Sequence, residues 1–230
     1  PASASALPSP PLLTSRIRRS ARESGRSRKR ERPRRCGHLS TVSEVRTIED
    51  LERAVRALAT HFRADTVVII GSQSVLLEWP DAPVLMRTSG EIDAYPINWL
   101  GWEQDHPGDE ASEEINALFG WGSTFHETHG FYIDGVDANY ATLPPGWPDR
   151  VIHLAVQLDG ATVTAIAPSP EDLVVAKLAR LDEKDTAYIE ERHRFRPLDI
   201  ETVADRLAAT EIDDATQKSA LAFLSSLAEA

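Results

Sequence analysis

The sequence predicts an α/β protein of the α+β kind: a small mixed β-sheet with flanking helices, followed by a helical C-terminal part. Three features predict it. TVVII at 66–70 is a continuous β-branched run, the pattern of a strand buried on both faces. VIHLAVQL (151–158) and ATVTAIA (161–167) are runs joined by Asp159-Gly160, a strong hairpin signal. After Pro168 the pattern turns helical, over about 170–181, 183–193, 198–209 and 213–228.

The remaining elements follow in order. Thr47 precedes Asp50 by three, which suits a helix start. Leu51, Val55, Leu58 and Phe62 then recur at helical spacing, so 48–63 reads as an amphipathic helix. Gly71-Ser72 breaks the first strand, and QSVLLEW (73–79) reads as a short helix before Pro80. GEIDAYPI (90–97) alternates and reads as a strand. Residues 98–110 read as a loop and ASEEINALFGW as a short helix. FYIDGV (131–136) reads as a strand with a partner around 140–143. Pro144-Pro145-Gly146 reads as a turn.

The 230 residues suit one moderate domain with appendages or two small domains, and 41% are hydrophobic, enough for a core. No apolar run approaches the roughly 20 residues of a membrane span. The single cysteine, Cys36, excludes an intramolecular disulfide, and the cytoplasm is the expected location. The net charge of −11 hides a split. Residues 1–36 carry 11 Lys and Arg against two Glu, while the rest carries 14 basic and 34 acidic residues. Residues 1–40 therefore read as a disordered basic tail, rich in Pro, Ser and Arg. A transit peptide, an RNA-binding arm and an upstream stretch translated from a misassigned start are the readings open for it. A solvated tail or a misassigned start is favoured. The expected organisation is the tail (1–40), an α/β core (45–168) and a helical part (169–230). The acidic part would repel nucleic acid unless metal ions or a local basic patch intervened.

The chemistry-bearing residues cluster in a few elements. A Gly-Ser turn ending a buried strand lets backbone approach a ligand, and a following helix aims N–H groups at it, which suits a phosphate. By itself such a turn is more often structural. On a strand at 90–97, Glu91, Asp93 and Tyr95 share one face, while Ile92 and Ala94 face the core. Two carboxylates side by side repel unless a cation joins them, and Mg²⁺ is the natural cation. An acidic solvated face is the bland alternative. Asp134 suits a third carboxylate from the neighbouring strand, with Asp137 behind it; an ordinary Asp-Gly turn residue is the alternative.

Ser169 suits an N-cap, Pro170 the first helical position, and Lys177 falls inside the apolar arc of Leu173, Val174, Leu178 and Leu181. A lysine there either snorkels along its aliphatic stem or points at an anion. Asp185 either caps the next helix or holds Lys177. His126 and His129 would be two ligands if they lay on one helical turn, but no third ligand for zinc is apparent, and Gly130 with the aromatic residues after it reads as a loop leading into a strand. The five Trp, including Trp99, Trp102 and Trp121, are more often packing residues than base platforms.

The ordered set GSQSVL, EIDAYP, FHETHGFYIDGV, LPPGWPDR and SPEDLVVAKLARLDEKD resembles nucleotidyltransferase-like proteins of the AbiEii and mycobacterial MenT toxin type, in an uncharacterised bacterial branch. The resemblance covers about residues 48–195. It implies a small mixed sheet with helices and transfer of a nucleoside monophosphate from an NTP to a hydroxyl on RNA, protein or a small molecule. It further implies that Gly71 and Ser72 hold the triphosphate, Glu91 and Asp93 bind Mg²⁺, Lys177 contacts phosphate, and Asp185 matches a further polar residue of the motif. A toxin–antitoxin role, with a cognate antitoxin or other partner protein, comes with the same resemblance. The sequence departs from the pattern in the longer spacing between Ser72 and Glu91 and in Glu at 91 where Asp is usual. A catalytically inactive, nucleotide-sensing or protein-binding module of the same fold is the alternative.

Overall fold

Thr47 closes a capping box with Asp50, each side chain bonding the other's backbone N–H, and so starts helix α1 (Ile48–Phe62). Its apolar stripe of Leu51, Val55, Leu58 and Phe62 is buried against the sheet. The structure, a computed structural model, describes residues 45–229. The tail expected over 1–40 lies outside the described residues.

Strand β1 (Thr66–Ile70) follows α1 after an αL residue, Arg63. It ends at Gly71 and a 3₁₀ turn, Ser72–Ser74, that leads into the four-residue helix α2 (Val75–Glu78). The helix expected over 73–79 is thus a tight turn plus one helical turn. A further short helix, α3 (Val84–Arg87), carries no periodic signal. Strand β2 (Glu91–Pro96) comes next.

The loop expected over 98–110 is in part helix α4 (Trp99–Asp105). The Trp102 ring meets Phe62 edge-on and stacks on His106, and this ring packing holds a segment whose Gly and Asp content reads as loop. Helix α5 (Ala111–Phe119) is followed by α6 (Thr124–His129), capped by Ser123, so His126 and His129 lie on a helix and not in a loop. Strand β3 (Tyr132–Gly135) pairs with β2 in parallel and not with residues 140–143, which form no strand. A 3₁₀ turn (Trp147–Arg150) leads to β4 (Ile152–Leu158) and β5 (Ala161–Ala167). Asp159 and Gly160 between them have φ of 49° and 84°, as a tight hairpin turn requires.

The sheet order is β3-β2-β1-β5-β4. The β1–β2 and β5–β4 pairs are antiparallel, and β1–β5 and β2–β3 are parallel, so the sheet is mixed. In β1, Val67 and Ile69 join the main core beneath α1, and Val68 and Ile70 join a smaller core on the other face with Tyr95, Val136 and Ile166. That two-sided burial is why the strand is β-branched throughout. Four helices complete the fold: α7 (Pro170–Leu178), α8 (Glu183–Phe195), α9 (Ile200–Ala208) and α10 (Asp214–Ala228). They bury an apolar cluster of their own, centred on Leu178, Ile189, Val203, Leu207 and Leu224. Ser169, Asp182, Asp199 and Asp213 cap them through side-chain oxygens. The described residues fall within one compact unit. Among them, no helix is long and apolar enough to cross a membrane.

Candidate functional site

Register sets the site. Asp93 of β2 lies opposite Ile70 on one side and opposite Asp134 of β3 on the other, and Glu91 lies opposite Tyr132. Side-chain alternation puts Ile92 and Ala94 in the main core and leaves Glu91 and Asp93 on the other face. Carboxylate oxygens of Glu91, Asp93 and Asp134 all lie within 4.8 Å of one another, and all three residues are half-buried. The Tyr132 hydroxyl donates to Glu91. Among the described residues, no donor makes a hydrogen bond or ion pair to the Asp93 carboxylate. Burial, then the charges of Glu91 and Asp134, push Asp93 up to about 7, and Arg180 and Lys177 only partly oppose this. Asp134 is also raised, by burial first and then by Glu91. Asp137 does not join the cluster; its carboxylate accepts from Ser112 Oγ at 3.4 Å.

Gly71 comes up against this cluster. Its φ is 73°, and a Cβ there would collide with the Asp93 carboxylate, so both conformation and space require glycine. The next residue, Ser72, accepts a hydrogen bond from Lys177 Nζ at 3.0 Å. Lys177 does not snorkel. Its side chain is 3% exposed, its ammonium bonds Asp185 Oδ1 at 3.0 Å, and it lies 4.2 Å from the Tyr188 ring centroid. Burial lowers the Lys177 pKa against the opposing pull of Asp185.

Asp185 is the hub of this second group, and capping falls to Asp182, whose carboxylate accepts the Asp185 N–H. Arg180 donates to Asp185 through Nε at 3.0 Å and Nη2 at 2.8 Å while its side chain stays 56% exposed. Burial disfavours the charged Asp185, but the bonds from Arg180 and Lys177 outweigh it and hold its carboxyl below the usual range.

Two residues near the site escaped the sequence reading. Arg180 follows Lys177 by one helical turn, a spacing that can be read, but an exposed arginine carries no apolar-arc signal. Tyr140 is exposed, and its hydroxyl pKa is raised by burial and then by Asp93, with Asp134 and Glu91 adding to it. It sits in irregular backbone, where no periodicity marks a position. The structure therefore brings together Glu91, Asp93 and Asp134 as one group and Ser72, Lys177 and Asp185 as another, with Gly71 joining them. Three close carboxylates offer the hard oxygen donors that suit Mg²⁺. A buried ammonium beside a Gly-Ser turn offers donors that suit phosphate.

The family model described as "Nucleotidyltransferase of unknown function (DUF6036)" matches residues 46–225. The chain belongs to that family. No curated protein matches the chain, and no solved structure matches it.

Proposed function

We propose that this nucleotidyltransferase moves a nucleoside monophosphate from an NTP to a hydroxyl acceptor, and that Glu91, Asp93 and Asp134 hold Mg²⁺ for the reaction. The observation that carries the reading is the state of Asp93: half-buried, flanked by two carboxylates and reached by no donor among the described residues. A divalent cation is what such a donor set suits. Bound there, Mg²⁺ would supply charge neutralisation for the carboxylates and the triphosphate.

The remaining roles belong to this chain's own groups. Gly71 admits backbone close to the phosphates because it has no side chain. Ser72 and Lys177 orient the triphosphate, and Asp185 keeps Lys177 charged and fixed. Arg180, exposed beside Asp185, offers charge to the departing pyrophosphate. Asp134, on the edge strand, accepts the proton of the attacking hydroxyl. The new P–O bond forms at the α-phosphorus as the bond to pyrophosphate breaks. In the toxin-type reading, this transfer would disable an essential acceptor, and growth arrest on expression would depend on Asp93.

The test is incubation with Mg²⁺ and α-labelled NTPs, following pyrophosphate release and label transfer. The wild type should release pyrophosphate only with the cation, and Asp93→Asn should lose at least 100-fold of that rate while melting cooperatively. Equal rates for the two proteins would defeat the assignment.

A further inference from the structure

Trp121 is 72% exposed, and no other tryptophan in the chain is exposed to this degree. It stands in the turn before α6, and its ring packs edge-on to Tyr132 at 5.6 Å between centroids and against His126 at 4.5 Å. The turn is pinned in its turn by His126 Nδ1, which accepts the Gly122 N–H at 3.0 Å. Tyr132 is the residue that donates to Glu91. Trp121 is thus one ring away from the carboxylate group, held in place, yet exposed. A large aromatic left exposed one ring from the carboxylate group can serve as a ligand platform.

The sheet order fixes which side it serves. Ser72 and Lys177 approach from the β1 side of β2, and Tyr132 and Trp121 from the β3 side. In an in-line displacement the attacking and leaving oxygens lie on opposite sides of the phosphorus. With the triphosphate on the Ser72–Lys177 side, the acceptor enters over Asp134, Tyr132 and Trp121.

Charge then narrows the acceptor. From Thr88 to Asp149, the stretch that builds β2, α4, α5, α6, β3 and the following loop, there are 12 Asp and Glu and not one Lys or Arg. A phosphate backbone finds no cation from this stretch. A positively charged acceptor finds an aromatic ring on a stretch whose formal charges are all negative.

Resting on the transferase reading above, we infer that Trp121 is an acceptor-binding residue and that the acceptor is a cationic compound bearing a hydroxyl, an amino or quaternary-ammonium alcohol. Its oxygen attacks the α-phosphorus, the bond to the β-phosphate oxygen breaks, pyrophosphate leaves, and the hydroxyl proton passes to Asp134.

The full chain is assayed with Mg²⁺ and α-labelled NTP against choline, its uncharged isostere 3,3-dimethylbutan-1-ol, glucosamine, glucose and a short oligoribonucleotide with a free 3′ hydroxyl. Labelling of choline or glucosamine at least tenfold above the neutral counterparts and the oligonucleotide is the expected result. Trp121→Ala should raise the acceptor KM about tenfold with NTP binding and melting unchanged, and Trp121→Phe should restore most of the loss. Preferential labelling of the oligonucleotide, equal labelling of the neutral alcohols, or an unchanged acceptor KM in Trp121→Ala overturns the inference while leaving the transferase reading standing. Absence of Mg²⁺-dependent NTP binding in the wild type, read by calorimetry on the same preparation, overturns both.

Discussion

Two aspartates of this chain meet their neighbours in opposite ways. Asp172, on α7, is fully buried and fully engaged: Arg150 grips it through Nε and Nη2, Arg206 Nη1 reaches Oδ1 at 3.0 Å, and Ser169 Oγ donates to Oδ2 at 2.9 Å. Asp93, on β2, is half-buried between Glu91 and Asp134 and receives no donor among the described residues. Asp172 ties the turn before β4 to α7 and α9. Its partners are supplied by the fold, so its role is complete without a ligand. Asp93 is held at a cost that Arg180 and Lys177 only partly offset, which accords with the cation site proposed above. Burial of a carboxylate therefore says little about its role; whether the protein itself supplies the counter-charge says more.

The largest expected effect sharpens that contrast. Asp172→Ala strands two arginines and should cost about 3–5 kcal/mol of stability, read by denaturant unfolding, with Mg²⁺ affinity of the remaining folded protein unchanged. Asp93→Asn should do the reverse and stabilise the cation-free protein by about 1–2 kcal/mol near pH 8. The sign follows from linkage. The folded pKa of Asp93, about 7, lies above its ordinary value of 3.8, so its contribution is present below that lower value and is lost as pH rises through 7. The melting temperature of the cation-free wild type should accordingly fall between pH 5 and pH 8. Asp93→Asn should flatten that slope, and equal slopes would remove the contrast.

The third effect is smaller, because Lys177 stands between the two cases. Lys177→Met removes a buried ammonium but leaves Asp185 bonded twice by Arg180. Stability should change by no more than about 1 kcal/mol, and NTP affinity should fall about tenfold. A large drop in melting temperature with unchanged NTP affinity would make Lys177 a structural residue like Asp172.

What the sequence disclosed follows the range of the interactions involved. α1, β1 and the β4–β5 hairpin were legible because a capping box, a β-branched run and an Asp-Gly turn are local signals. α3, α4 and α6 were not, since one or two helical turns rich in Gly, His or Asp are held by tertiary packing, as Trp102 against Phe62 shows. The place of β3 beside β2 follows from the expectation that Asp134 adds a third carboxylate, but the further partner expected at 140–143 is irregular backbone, and the parallel register, which joins residues about 40 apart, has no local pattern. Around the site, strand alternation placed Glu91 and Asp93 on one face, and the helical arc placed Lys177 inward. Two further pairings in the site, Tyr132 with Glu91 and Arg180 with Asp185, depend on the folded arrangement of strands and helices.

The function proposed for this chain turns on Glu91, Asp93 and Asp134 binding a divalent cation. Calorimetric titration of the preformed Mg²⁺ complex of a non-hydrolysable NTP analogue into the full chain, wild type beside Asp93→Asn, reads that binding. The wild type should show one saturable site, tightening as pH rises through 7, and Asp93→Asn should bind at least 100-fold more weakly. Equal binding by the two proteins, or none in the wild type at pH 8, would contradict it.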